Sequence, residues 1–96
     1  MKPFNFHRAA REELLYQAQF YEERSEGLGV RFLEQVESAI KLAASMPRIG
    51  IPYKHETRRV FPKDFPFSIV YRDMGEHLIV FAVAAFKRKP AYWRGR

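Results

Sequence analysis

The chain has 96 residues, a formal net charge of +6, 47% apolar residues, 16% aromatic residues and no cysteine. A length of this order makes one domain (1–96) with one modest core, and this apolar content argues against disorder. The composition gives no disulfide framework or thiolate zinc site, no apolar run of the roughly 20 residues that span a bilayer, and no signal-peptide pattern in MKPFNFHRAAREELL, so a cytoplasmic protein without membrane contact is expected.

Residues 3–7, PFNFH, alternate Phe4 and Phe6 with polar neighbours, the pattern of a short half-buried strand. From Arg8 the period changes. Ala10, Leu14, Ala18 and Tyr21 recur at three- and four-residue steps, which predicts an amphipathic helix of about 16 residues. The stretch SEGLG interrupts it, with Gly27 and Gly29 expected to supply the unusual dihedrals of a tight turn. A second helix runs from Val30 to about Ser45 with Phe32, Val36, Ile40 and Ala43 on one face, and Pro47 ends it. So short a link makes the two a helical hairpin.

The segment 47–56, PRIGIPYKHE, reads as a loop because it holds two prolines and a glycine. Strand patterns follow at 57–61, 67–72 and 78–85, with a hairpin turn at Asp73–Glu76 between the last two. The fold class is therefore α+β: an N-terminal strand, a helical hairpin, then a three-stranded antiparallel sheet with the helices packed on one face. In LIVFAVAA (78–85) both alternating sets are apolar, with Leu78, Val80, Ala82 and Ala84 on one side and Ile79, Phe81, Val83 and Ala85 on the other. Such a strand is usually covered twice. The helices cover one face, which leaves the other to the final segment, a second copy or a partner chain.

Charge is unevenly placed. Residues 1–50 carry seven Lys/Arg against seven Glu, while residues 51–96 carry ten against four Asp/Glu and hold the whole surplus. The final stretch AAFKRKPAYWRGR contains five cations and no acid. Arg58 and Arg59 on one strand, Arg72 on the next, and Lys87 and Arg88 after the last are placed to converge at one end of a sheet, because neighbouring strands lie about 4.8 Å apart. Tyr92 and Trp93 add flat faces that stack on bases or anchor in protein pockets. Arg58, Arg59, Arg72, Lys87, Arg88, Tyr92 and Trp93 are thus the candidate target-binding residues.

Other chemistry is not supported. His7, His55 and His77 lack metal-ligand spacing, no serine lies in a GxSxG context, and GLGVRF lacks the phosphate-loop pattern. The pairs Glu12/Glu13 and Glu22/Glu23 read as solvated helix faces, since adjacent helical residues point about 100° apart and form no dyad. No catalytic residue, metal site or cofactor is assigned.

The ordered segments YEERSEGLGVRFLEQVESAI, MPRIG, RRVFPKDFPFSIVYR and VFAVAAFKRKPAYW resemble the RelE/ParE superfamily of bacterial toxins, the ParE-like branch in particular. The matching positions are Tyr21, Gly27-Leu28-Gly29, Phe32, Pro47, Arg58/Arg59, Phe65-Pro66-Phe67, Tyr71 and the run Arg88–Trp93, nearly the whole chain. The resemblance implies a toxin of a type II toxin–antitoxin (plasmid-stabilisation) module, neutralised by a cognate protein antitoxin. ParE-like members inhibit DNA gyrase by binding; RelE-like members are ribosome-dependent mRNA endoribonucleases. Phe86 stands where a histidine is usual in the ParE-like branch, and FPF where FPY is common. Ser68 stands where RelE-like nucleases commonly have arginine, and no general base stands out, so the expectation leans to a gyrase poison and away from an enzyme. An antitoxin segment laid on the second sheet face would contact Ile79, Phe81 and Val83. A bare nucleic-acid-binding module remains a third reading, and the free toxin is a possible homo-oligomer.

Overall fold

His7 opens the first helix: its Nδ1 accepts a hydrogen bond from the Ala9 backbone N–H at 3.1 Å, satisfying one of the donors that a helix start leaves unpaired. The computed structural model describes residues 1–96. In it β1 (Phe4–Phe6) leads through this cap into α1 (Arg8–Arg24), and α2 (Leu28–Ser45) folds back against α1. The two glycines of the link act differently. Gly27 has φ 86°, a left-handed conformation that suits glycine, whereas Gly29 is an ordinary helical residue. Gly29 is needed for close approach, because a Cβ there would lie 2.4 Å from the Ala18 carbonyl oxygen of α1. Unusual dihedrals are therefore required at Gly27 only.

Glu22 corrects another expectation. It lies on an exposed part of α1, but its carboxylate accepts hydrogen bonds from the Gly27 and Gly29 N–H groups at 2.8 and 2.9 Å. One helix thus caps the start of the next, and these backbone donors hold the Glu22 carboxyl below the usual carboxylate range.

The sheet has five strands, not three. β2 (Ile51–Tyr53), β3 (Thr57–Val60), β4 (Phe67–Asp73) and β5 (Leu78–Ala85) pair antiparallel in sequence order, and β1 joins β5 in parallel, giving the order β1-β5-β4-β3-β2. β2 falls inside the segment read as a loop. It is three residues long and contains Pro52, which a sheet tolerates only at an edge such as this one. β1 was legible as a strand, but its parallel partner lies more than 70 residues away with no turn chemistry to announce it.

The helices cover one face of the sheet. Phe32, Val36 and Ile40 of α2 and Ala10 and Ala18 of α1 pack in one cluster with Phe67, Ile69 and Tyr71 of β4 and Leu78, Val80 and Val83 of β5. That set of β5 residues breaks strict alternation. Val70 pairs with Ala82 and Tyr71 with Val80, so Phe81 is an extra residue opposite no partner, a β-bulge. Beyond the bulge the faces exchange: Leu78, Val80, Val83 and Ala85 face the helices, and Ile79, Phe81, Ala82 and Ala84 face away. The expected grouping of Ile79, Phe81 and Val83 on one surface is therefore incorrect. Val83 is 3% exposed beneath the helices.

Tyr71 ties the sheet to the loop after α2. Its hydroxyl donates to the Pro47 carbonyl at 2.7 Å and accepts from the Gly50 N–H at 3.1 Å, and burial pushes the phenol's pKa up. A Cβ on Gly50 would sit 2.5 Å from that hydroxyl. Tyr71→Phe leaves a buried N–H without its acceptor, an omission that costs about 1–3 kcal/mol. Gly50→Ala should cost a similar amount by expelling the phenol. Both changes break the bond between Gly50 and the hydroxyl, but the added methyl still meets the Tyr71 ring at 2.8 Å and the Arg58 Cβ at 2.9 Å. The double variant should therefore fall short of the sum by only about 1 kcal/mol, the value of the shared hydrogen bond. Denaturant melts of the four proteins check this, and additive losses would mean that Gly50 matters for another reason.

Candidate binding site

The bulge turns Phe81 onto the face that the helices leave open, and the segment after β5 folds back to meet it. Trp93 stacks on Phe81 with ring centroids 6.2 Å apart and an interplanar angle of 23°. It is 4% exposed and packs with Val70, Ala82 and Ala84, with Tyr53 and Ile79 alongside. Of the three coverings open to the sequence, the chain itself supplies this one.

A carboxylate fixes this fold-back. β1 ends at Phe6, opposite Val80, so the edge of β5 beyond that point lacks a neighbouring strand. Glu13 of α1 accepts from the Val83 N–H at 3.1 Å, and the Arg96 guanidinium donates to the Phe81 carbonyl at 2.8 Å. The two side chains also bind each other through two hydrogen bonds, of 2.9 and 3.0 Å, and the Tyr92 hydroxyl donates to Glu13 at 2.7 Å. Glu13 and Arg96 thus take the place of a missing strand's acceptor and donor on an edge that would otherwise be open. Burial, reinforced by the Glu13 carboxylate, pushes the Tyr92 phenol's pKa far up. The sequence reading placed Glu13 on a solvated face; its partners lie 70 to 83 residues away, and no local spacing marks them.

The candidate cations divide by strand alternation. Arg59 pairs with Val70, on the Trp93 side, and its guanidinium carbon lies 4.1 Å from the Tyr53 ring centre and 5.5 Å from that of Phe61. Arg72 lies 4.9 Å from the Phe81 ring centre, and Arg88 3.8 Å from that of Tyr92. Arg58, one residue along, sits opposite Tyr71 and donates to the Arg48 and Gly50 carbonyls. It braces the loop after α2 and does not join the others. Lys87 is exposed beside them. Arg59, Arg72 and Arg88 pair with no carboxylate; the chain's ion pairs are made by Lys2, Arg8, Arg31, Lys41 and Arg96.

Between Trp93 and the basic turn lies a pocket of about 260 Å³. Ser68, Val70 and Ala84 line its sheet side, Tyr53, Tyr92 and Trp93 contribute rings, and Arg59, Arg88 and Lys89 contribute charge. No carboxylate and no imidazole line it. This arrangement is suited to holding an anion and offers no side chain placed to take up a proton. A larger groove of about 640 Å³ lies elsewhere, among Phe4 and Phe6 of β1, Leu14 of α1 and Leu33, Val36 and Ile40 of α2, with Arg11 and Glu37 also lining it.

A family model described as the ParE toxin of the type II toxin–antitoxin system, parDE, matches residues 4–90. The chain belongs to the ParE toxin family. The fold agrees: a solved structure described as the chromosomal ParDE TA system from P. aeruginosa superposes with a TM-score of 0.63 at 16% identity, over 88% of this chain and 96% of that one. No curated protein matches significantly. The ParE family match stops before Tyr92, Trp93 and Arg96, so the fold-back and its Glu13 anchor lie partly outside the matched region.

Glu13→Ala in this ParE-family chain should destabilise by about 1–3 kcal/mol, the cost of leaving largely buried donors unpaired, and should free residues 87–96 to protease. The neighbouring Glu12 is a control. It pairs with Arg8, their side chains 67% and 91% exposed, and losing such a surface pair costs about 0–1 kcal/mol. Thermal melts and limited proteolysis of both variants make the comparison. Equal behaviour of the two would show that Glu13 does not hold the fold-back.

Proposed function

We propose that this ParE-family toxin acts in the cytoplasm by binding and trapping DNA gyrase, and that a cognate antitoxin from the same plasmid-stabilisation type of module silences it. The observation that carries the reading is the face around Trp93. Arg59 and Arg88 are held there on aromatic rings without acidic partners, over a pocket lined by no carboxylate or imidazole, while Arg72, on the Phe81 ring, borders a separate hollow that His55 also lines. Such a surface is equipped to bind. Cleaving RNA also needs a group that activates the attacking hydroxyl, which favours the gyrase poison over the ribosome-dependent endoribonuclease.

The antitoxin site proposed here differs from the surface expected from sequence. Phe81 and Val83 are covered by the chain's own Trp93 and helices, and Ile79 packs against the Trp93 cluster. The groove between β1, α1 and α2 remains open, and its apolar lining fits one face of an amphipathic antitoxin helix. Neutralisation then leaves the Trp93 face free of direct competition unless the antitoxin also reaches the basic turn.

Purified protein should inhibit gyrase supercoiling, and its induction without antitoxin should stop growth with filamentation and a DNA-damage response while translation continues at first. Arg88→Ala should abolish inhibition at an unchanged melting temperature, because Arg88 is exposed. Trp93→Ala should lose both, since truncating a core aromatic costs about 3–5 kcal/mol. Codon-specific mRNA cuts within minutes, with supercoiling intact, would overturn the gyrase reading in favour of cleavage. A fully active Arg88→Ala would remove the basic turn from the working surface.

A further inference from the structure

The pocket beside Trp93 has a more specific chemistry than positive charge. Stacking on Tyr53 and on Tyr92 occupies one flat face of the Arg59 and Arg88 guanidiniums and leaves their N–H edges free of carboxylate. The Nε of Arg59 is buried with no hydrogen-bond partner, as is that of Arg72, which lies outside this pocket. Ser68 stands opposite Ala84 on the same face, is 6% exposed, lines the pocket and makes no hydrogen bond through its hydroxyl. The Arg59 and Arg88 guanidiniums and the Ser68 hydroxyl are donors placed around one small volume, an arrangement suited to an anionic ligand. At the mouth, Phe61 and Phe86 meet edge-to-face at 6.2 Å and are 42% and 60% exposed. An exposed aromatic pair next to fixed cations is the combination with which proteins hold unpaired strands, phosphate on the cations and base on the ring.

We propose that this pocket holds one nucleotide of an unpaired nucleic-acid strand. The phosphodiester lies against Arg59 and Arg88 with the Ser68 hydroxyl beneath it, and the base rests on the Phe61–Phe86 pair. The concave shape and the volume of about 260 Å³ suit one unit of a flexible strand and not the convex wall of a duplex. The face is the one through which gyrase binding is proposed, but strand binding is read on the isolated chain without gyrase, so the failure of either reading is seen separately.

Trp93 is the chain's single tryptophan and lines the pocket, so its emission reports entry directly. The purified chain is titrated with a short oligothymidylate at several salt concentrations, with an oligoglutamate and inorganic phosphate as parallel arms. A saturable change in emission with oligothymidylate is expected. Its log–log salt slope should fall by roughly 0.7 for each of Arg59→Ala and Arg88→Ala, the loss of about one phosphate contact. Phe86→Ser, at an exposed position, should weaken binding roughly tenfold while leaving the salt slope and the melting temperature unchanged. Oligoglutamate binding as tightly as oligothymidylate, with Phe86→Ser without effect, overturns the proposal and makes the face a dock for acidic protein. Inorganic phosphate binding as tightly as the oligomer, or no binding at low salt, overturns it as well.

Discussion

The bulge at Phe81 is the constraint on which the rest of this small domain depends. A regular β5 would send Phe81 and Val83 to one face and leave Val80 and Ala82 on the other. The extra residue opposite the Val70–Tyr71 step lets Val80 and Val83 both enter the core under the helices while Phe81 turns outward. One strand thereby serves two clusters. The helix-side cluster has 15 buried residues and is the main core; the second has five and exists only because Trp93 returns to cover Phe81. The bulge also falls where β1 stops pairing, so the same step that creates the second face leaves an unpaired edge. Glu13 and Arg96 fill that edge, and in doing so they fix the segment that covers the face.

Charge placement follows from the same geometry. In the first half of the chain, cations and acids balance, and pairs such as Lys41–Glu37 lie along one helix. On the Trp93 face, aromatic rings take the role that carboxylates have elsewhere. A ring orients a guanidinium without neutralising it, whereas a carboxylate would satisfy its N–H edge and cancel its charge. Arg59, Arg72 and Arg88 are thus held in place and still charged. Glu13, the acid bonded to this segment, is consumed by Arg96, Tyr92 and the strand edge, so it does not offset the others.

What could be read in the sequence was whatever depends on neighbours along the chain. The helical hairpin, the three long strands, the two-sided apolar character of β5 and the clustering of charge all follow from local period and composition, and the ordered motifs placed the chain among ParE-like toxins. The failures are of another kind. Glu13 and Glu22 look alike as members of helical Glu pairs, yet one finishes a strand edge and the other caps a helix, because each depends on a partner that only the fold supplies. Alternation put Val83 with Ile79 and Phe81 since a bulge leaves no residue signature when both faces are apolar. Arg58 and Arg59 look equivalent as a pair, but adjacent strand residues face opposite ways, and only one of them can belong to the Trp93 face. Pro52 hid β2 because the rule that expels proline from strands relaxes at an edge.

The second cluster makes stability and binding partly inseparable at particular positions. Trp93 is both the cover of Phe81 and a wall of the pocket, and Tyr92 carries Arg88 on its ring while its hydroxyl is bonded to Glu13. A substitution at either residue disturbs the fold-back and the site together, so lost toxicity there does not identify a contact with the target. Arg88 and Phe86 are exposed, and the second cluster and the Glu13 bonds do not include them. Those two positions report on the surface alone. The small size of the cluster sharpens the distinction: five buried side chains have little capacity to absorb the loss of an indole, whereas the removal of an exposed ring or cation leaves the packing as it was.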